Sequence, residues 1–334
     1  MQQQERGKEI CGRGFFFFNF LILNSFICRS GMAAPLLLKS SAFFHLQHFP
    51  LSVGKTLPAV PSSINRIGSL SMIAFTMMEG SGITEEVAES ADAANGNIRK
   101  KIFVAGATGN TGKRIVQRLL AKGFAVKAGV RDLEKAKTSL FKDNPALQIV
   151  KADVTEGSAK LAKVIGDDSE AVICATGFQR GLDLFAPWKV DNFGTVNLVD
   201  ACRKVGVNRF ILISSILVNG AAMGQIFNPA YIFLNVVGLV LIAKLQAEQY
   251  IRTSGINYTI IRPGGLTNDP PTGNVVMEPE DTLYDGSISR DQVAEVAVEA
   301  LVHPESSYKV VEIVSRIDAP KRSYKDLFGS IEER

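Results

Sequence analysis

The run K-I-F-V-A-G-A-T-G-N-T-G-K-R at residues 101–114 constrains this chain more than any other feature. A short apolar run leads straight into Gly106-x-x-Gly109-x-x-Gly112 and then into an amphipathic stretch. The three glycines have separate physical jobs. Gly106 permits a tight turn, Gly109 lets a pyrophosphate approach the backbone, and Gly112 lets helix and strand pack closely. The helix that follows offers free N–H groups and a partial positive charge to phosphates. A glycine triplet by itself is only a β–α turn. The strand before it and the helix after it make this one a dinucleotide cradle, with Thr108, Asn110 and Thr111 filling the positions between the glycines.

The rest of the chain from Lys101 repeats the alternation. Candidate strands are Ile102–Ala105, Ala125–Val130, Leu147–Lys151, Ala171–Ala175, Phe210–Ser214, Tyr258–Arg262 and Val310–Val314. Most are unbroken apolar runs, as parallel strands covered on both faces require. Apolar stripes at Ile115, Val116, Leu119 and Leu120, and at Val293, Val296, Ala297, Ala300 and Leu301, mark helices between them. The pattern predicts an α/β fold, a doubly wound and mostly parallel Rossmann sheet of about seven strands with helices on both faces. The segment after Arg262 is expected to add one helix, one strand and a small substrate-side cap, with a mobile stretch at Pro270, Pro271 and Gly273.

Composition sets limits on function. The net charge is +4, from 37 basic and 33 acidic residues. So small an excess argues against a nucleic-acid partner. Cys11, Cys28, Cys174 and Cys202 form no C-x-x-C pair, and Cys174 falls on a buried strand as a small core residue. Of the three histidines, His45 and His48 lie in a removable segment, leaving His303. No metal site and no Ser-His-Asp triad is expected.

The first 97 residues read as targeting sequence. From Ile10 to Met78 there is no acid, with nine serines and five basic residues, as in a plastid transit peptide. Met32 opens M-A-A-P-L-L-L-K-S-S, so residues 32–78 are assigned to that peptide. Residues 1–31 are read as an upstream extension, although Phe15–Cys28 also mimics a secretory signal and is too short for a comfortable membrane span. Residues 79–97 hold five acids and no base and read as a disordered linker, so a single folded domain spans 98–334. The expected location is the chloroplast stroma, with association at thylakoid or plastoglobule as a further option.

The second candidate strand ends V-R-D. Arg131 lies about 20 residues past the glycine loop, where an acid meets the ribose of NAD. A guanidinium there suits a 2′-phosphate instead, which favours NADP over NAD. Asp132 follows directly and either competes for the ribose or caps the next helix.

G-A-T-G-N-T-G, the V-R-D strand end, A-D-V at 152–154, A-T-G at 175–177, S-S at 214–215, G-G-L at 264–266 and S-R-D-Q-V-A at 289–294 resemble the atypical short-chain dehydrogenase/reductases, in their NmrA-like NAD(P)-binding branch. The resemblance covers about residues 100–316. It implies that Asp153 and Val154 frame the adenine, that Ala175, Thr176 and Gly177 line the adjoining ribose, and that Arg262, Pro263, Gly264 and Gly265 border the nicotinamide. The alternative for Ala175–Gly177 is an ordinary strand exit.

The reaction centre departs from the family pattern of Ser with Tyr-x-x-x-Lys. The lysine is Lys244, in V-L-I-A-K, and the residue four before it is Val240. Tyr231 is thirteen residues away. Ser214 or Ser215 fits the serine position. Lys244 either acts as acid/base or only holds the cofactor. From Ile211 to Ala243, 33 residues carry no charge. The loop at 216–235 within them is a lipophilic substrate pocket, a lipid-facing patch for peripheral membrane or lipid-particle contact, or a buried loop closing the crevice. No transmembrane helix is expected in the mature form. Phe178, Arg180, Phe185 and Trp188 are candidate lid or substrate contacts, with Trp188 equally suited to packing. Two functions follow: an NADP-dependent reductase of a lipophilic carbonyl, enone, quinone or flavin, or a non-catalytic NADP(H)-binding module that senses redox poise or docks a partner.

Overall fold

The computed structural model describes residues 100–140, 144–178, 183–236 and 238–333. The assignments for 1–31, 32–78 and 79–97, and Arg180, lie outside the described residues.

All seven strands read from the sequence are present: β1 (Lys101–Ala105), β2 (Ala125–Val130), β3 (Leu147–Lys151), β4 (Ala171–Cys174), β5 (Arg209–Ile213), β6 (Asn257–Pro263) and β10 (Lys309–Arg316). They pair in parallel in the order β3-β2-β1-β4-β5-β6-β10. Alternate side chains enter opposite cores, as the two-residue period of a strand requires. Ile102 and Val104 face one core with Ile115, Val116 and Leu119 of α1 (Gly112–Ala121) and the apolar side of α7 (Arg290–Val302). Phe103 and Ala105 face the other, with α3 (Ser158–Ile165), α4 (Gly194–Val205) and α6 (Val240–Thr253).

The region after Arg262 is richer in strands than the sequence suggested. β8 (Asn274–Pro279) adds antiparallel to β10 and makes the main sheet eight-stranded. β7 (Gly265–Thr267) and β9 (Ser287–Ser289) form a separate parallel pair. The apolar part of β8 is only residues 275–277, and β7 and β9 have three residues each, so none shows the long unbroken apolar run that marks the central strands. The stretch expected to be mobile is hydrogen-bonded into the fold. The Ser315 hydroxyl donates to the Thr272 carbonyl, and Gln292 Nε2 donates to the Gly273 carbonyl at 3.2 Å. At Gly273 the backbone has φ +75°, and a Cβ would fall 2.3 Å from the Arg316 carbonyl oxygen.

Three ion pairs join α1 to α7: Arg114–Asp291 at 3.1 Å, Arg118–Glu295 at 3.2 Å and Lys122–Glu299 at 2.7 Å. Both partners advance by four residues per rung, the helical repeat of one face.

The uncharged loop divides in two. Ile216, Leu217 and Val218 are buried in a small core with Leu241, Leu283 and Val314. Beyond them α5 (Pro229–Val236) fully buries none of its side chains, although Tyr231 and Leu234 rest partly on that core, and Phe227 just before it is 83% exposed. α5 meets α6 at 86°.

Candidate cofactor-binding site

Strand order reverses between β1 and β4, so the crevice at the carboxyl ends of these strands is where a ligand belongs in such a sheet. The glycine loop fills one side of it. Gly106 has φ +77°, and a Cβ there would lie 2.8 Å from the Ala175 carbonyl oxygen. A Cβ at Gly112 would lie 2.1 Å from the Gly106 carbonyl oxygen. The turn is closed by Gly109 N–H donating to the Gly106 carbonyl at 3.0 Å. Gly109 and Asn110 are exposed, while Thr108 and Thr111 are half-buried. Thr111, at the start of α1, makes no side-chain capping bond. A backbone cradle with no room for side chains, opening on an uncapped helix N-terminus, fits a pyrophosphate.

The β2 end places Arg131 in the open. Asp132 caps α2 (Leu133–Ser139), accepting from the N–H groups of Glu134 at 3.0 Å and Lys135 at 3.1 Å. Of its two sequence readings the geometry carries the cap. Asp153 is occupied similarly, accepting from the Thr155 N–H at 2.9 Å and hydroxyl at 2.7 Å. Val154 is buried beneath it against Gly194. A cavity of about 390 Å³ opens beside Asp153, walled by Lys151, Glu156, Lys160, Lys163 and Val164.

Across the crevice, Ala175, Thr176 and Gly177 leave β4, with the Ala175 N–H held by Ala105 at 3.0 Å. This exit is fastened by Asp191, a residue that sequence reasoning missed. Asp191 lies on a π-helical turn (Trp188–Phe193) that runs directly into α4. One carboxylate oxygen accepts the Phe178 N–H at 3.1 Å, and the other lies 2.7 Å from Lys244 Nζ. Neighbouring Asn192 donates to the Ala243 carbonyl at 3.2 Å and locks the turn to α6. Burial disfavours an ammonium, but the Asp191 carboxylate outweighs it and holds Lys244 above the ordinary lysine range. Cys174, just below, is fully buried, and burial pushes its thiol up. The signal for Asp191 was present. It stands in line with Thr195, Leu198 and Cys202, the buried stripe of α4, where an isolated charge needs a partner.

The serine and arginine candidates are engaged elsewhere. Ser214 is buried, and its hydroxyl donates to Glu248. Arg262 is 1% exposed and pairs with Glu248 at 2.7 Å, Asp281 at 2.8 Å and Glu312 at 3.3 Å. Its guanidinium therefore lies in a buried carboxylate cluster between β6, α6 and β10. Glu312 also accepts the N–H groups of Asp281, Thr282 and Leu283, which fastens the turn after β8. Ser215 is half-buried at the end of β5. Pro263 and Gly264 are buried while Gly265 is exposed; a Cβ at Gly264 would lie 2.6 Å from the Gly286 carbonyl oxygen. The Tyr231 ring packs over Gly220, where a Cβ would come within 2.5 Å of it, and burial raises its hydroxyl pKa. Trp188 and Phe193 have ring centroids 6.5 Å apart, and Phe185 is exposed.

A family model described as NAD(P)H-binding matches residues 106–304. An uncharacterised chloroplastic protein of Arabidopsis thaliana is 77% identical over 243 residues, covering 73% of this chain and 86% of its own length. The chloroplastic protein TIC 62 of Pisum sativum is 35% identical over 304 residues, which is 85% of this chain. The chain spans only 55% of that pea protein. An oxidoreductase from Lactococcus lactis superposes with a TM-score of 0.58 at 28% identity, covering 69% of this chain and 95% of the solved one.

Proposed function

The chain belongs to the NAD(P)H-binding, NmrA-like Rossmann family, and on that premise we propose that it is an NADP-dependent plastid reductase of a lipophilic carbonyl, enone, quinone or flavin. The observation that carries the reading is the glycine cradle opposite Lys244, whose ammonium is held at the crevice by Asp191. The dinucleotide, when bound, supplies hydride chemistry. The chain's own residues bind and orient it. Gly106, Gly109 and Gly112 with Thr108, Asn110 and Thr111 take the pyrophosphate. Arg131 takes the 2′-phosphate, Val154 and Asp153 flank the adenine, and Ala175, Thr176 and Gly177 adjoin the ribose. Lys244 donates from the far wall, with Pro263, Gly264 and Gly265 at the nicotinamide end.

The apolar chain from Phe227 through α5 supports a lipophilic substrate or a plastid lipid surface beside the site. Val240 in place of the family tyrosine, and the engagement of Ser214 by Glu248, support the second reading, a non-catalytic NADP(H)-binding module.

Calorimetric titration with NADPH and NADH, alongside Arg131→Ala, tests the cofactor assignment. NADPH is expected to bind at least about tenfold tighter, roughly 1.4 kcal/mol, with the preference lost in the variant. Equal binding of both cofactors would remove Arg131 from the 2′-phosphate. NADPH oxidation on adding quinone, flavin or enone acceptors separates the reductase from the binding module.

A further inference from the structure

We propose that Asp191 is a positioning residue of the cofactor site, fixing Lys244 as a standing cationic donor to the dinucleotide and tying the β4 exit at Phe178 to the same carboxylate. This rests on the reading of the crevice as a dinucleotide site and goes beyond it by assigning Lys244 to binding rather than proton transfer.

Asp191 has one carboxylate and two separate duties, each on a different element. Its oxygens reach the Phe178 N–H at 3.1 Å and Lys244 Nζ at 2.7 Å, and its side chain is wholly buried. Lys244 keeps 16% of its side chain exposed and Asp191 none, so the pair is reached from the lysine side. A Cβ on Gly177 would lie 3.9 Å from Asp191 Oδ1, which sets the pair beside the β4 exit. The π-helical turn gives the carboxylate its aim; such a turn inserts an extra residue and rotates the side chains around it.

The charged and titratable groups facing Lys244 are few. Asp191 comes from the π-helical turn, Cys174 from β4 and Glu248 from the next turn of α6. Cys174 is a buried thiol whose pKa is raised, so it carries no charge at neutral pH. Glu248 is already shared between Ser214 and Arg262. Asp191 is therefore the residue that keeps the ammonium charged. A lysine held in this way is a poor proton donor, because its loss of a proton would leave a buried carboxylate unpaired.

The test is NADPH affinity of the full chain, measured by calorimetry between about pH 7 and pH 9, for wild type, Asp191→Asn, Lys244→Met and the double variant. Comparison at each pH cancels titration of the nucleotide itself. In Asp191→Asn the desolvation of Lys244 is no longer opposed, so its ammonium is lost as pH rises. Affinity relative to wild type is then expected to fall by about tenfold or more across this range. Lys244→Met should be weak at every pH, and adding Asp191→Asn to it should introduce no pH dependence. A flat ratio for Asp191→Asn would overturn the proposal, as would the same pH slope in the Lys244→Met background. If Asp191→Asn fails to fold, Lys244→Met decides: unchanged affinity would remove Lys244 from the cofactor and the proposal with it. Failure of the wild type to bind NADPH at all would sink the dinucleotide reading instead.

Discussion

The two walls of the crevice are built from different material. The glycine wall is backbone: Gly106 and Gly112 sit where a Cβ would meet a carbonyl oxygen at 2.8 and 2.1 Å, and what it presents is main chain. The Lys244 wall is side chain: a lysine from α6 and an aspartate carried by the π-helical turn, two separate parts of the sequence. A backbone wall is fixed by local chemistry and tolerates no added atom. A side-chain wall is fixed by distant pairing and fails when a charge loses its partner. The contrast teaches where each kind of substitution does its damage.

Replacing Arg262 with Met tests the side-chain kind of construction at its most buried point. It leaves Glu248 and Glu312 without their cation, and loss of about 3–5 kcal/mol of stability is expected in chemical denaturation. Binding of NADPH below the melting range should survive, because the guanidinium faces carboxylates. Loss of binding with stability intact would instead place Arg262 at the nicotinamide.

Gly112→Ala strikes the backbone wall. The added Cβ meets the Gly106 carbonyl, so α1 must shift and carry the cradle with it. Overpacking of this kind costs about 1–3 kcal/mol, and a ten- to roughly hundredfold drop in NADPH affinity by calorimetry is expected. An unchanged affinity would mean the cradle is not the phosphate site.

The smallest effect belongs to the opposite end of the sheet. Asp168 is paired with Lys101 and Lys127, and these hydrogen bonds hold its carboxyl near pKa 2, below its ordinary 3.8. Its folded value is depressed, so its contribution is present above about pH 3.8 and fades as pH falls toward 2. Asp168 is partly solvated, so Asp168→Asn should cost roughly 1 kcal/mol at neutral pH, only a small part of that near pH 2, and leave NADPH affinity alone. Thermal melts at the two pH values check the stability. A change in affinity would show that the two ends of the sheet are coupled.

The same contrast explains what could be read from the sequence. Most of the parallel strands were legible because burial on both faces leaves an unbroken apolar run, and the glycine loop because its spacing is local. β8 was not, since its apolar run is only residues 275–277 and closes at Glu278 and Pro279. The partner of Lys244 was not, because Asp191 lies far upstream and only the fold brings them together. Glu248 and its pairing with Arg262 hid in the same way, since that contact depends on packing of α6 against the sheet.

The ion-pair ladder between α1 and α7 bears on how far the chain can be divided. Its first rung, Arg114, pairs with Asp291 and also donates to the Asn110 carbonyl at 2.7 Å, inside the glycine loop. The tip of the glycine loop is thus held in part by a residue some 180 positions downstream. Residues 101–130 carry the whole recognisable motif, yet the motif is not a self-contained module. A fragment ending before α7 would keep every glycine and lose the brace that aims them, so nucleotide binding is a property of the intact domain.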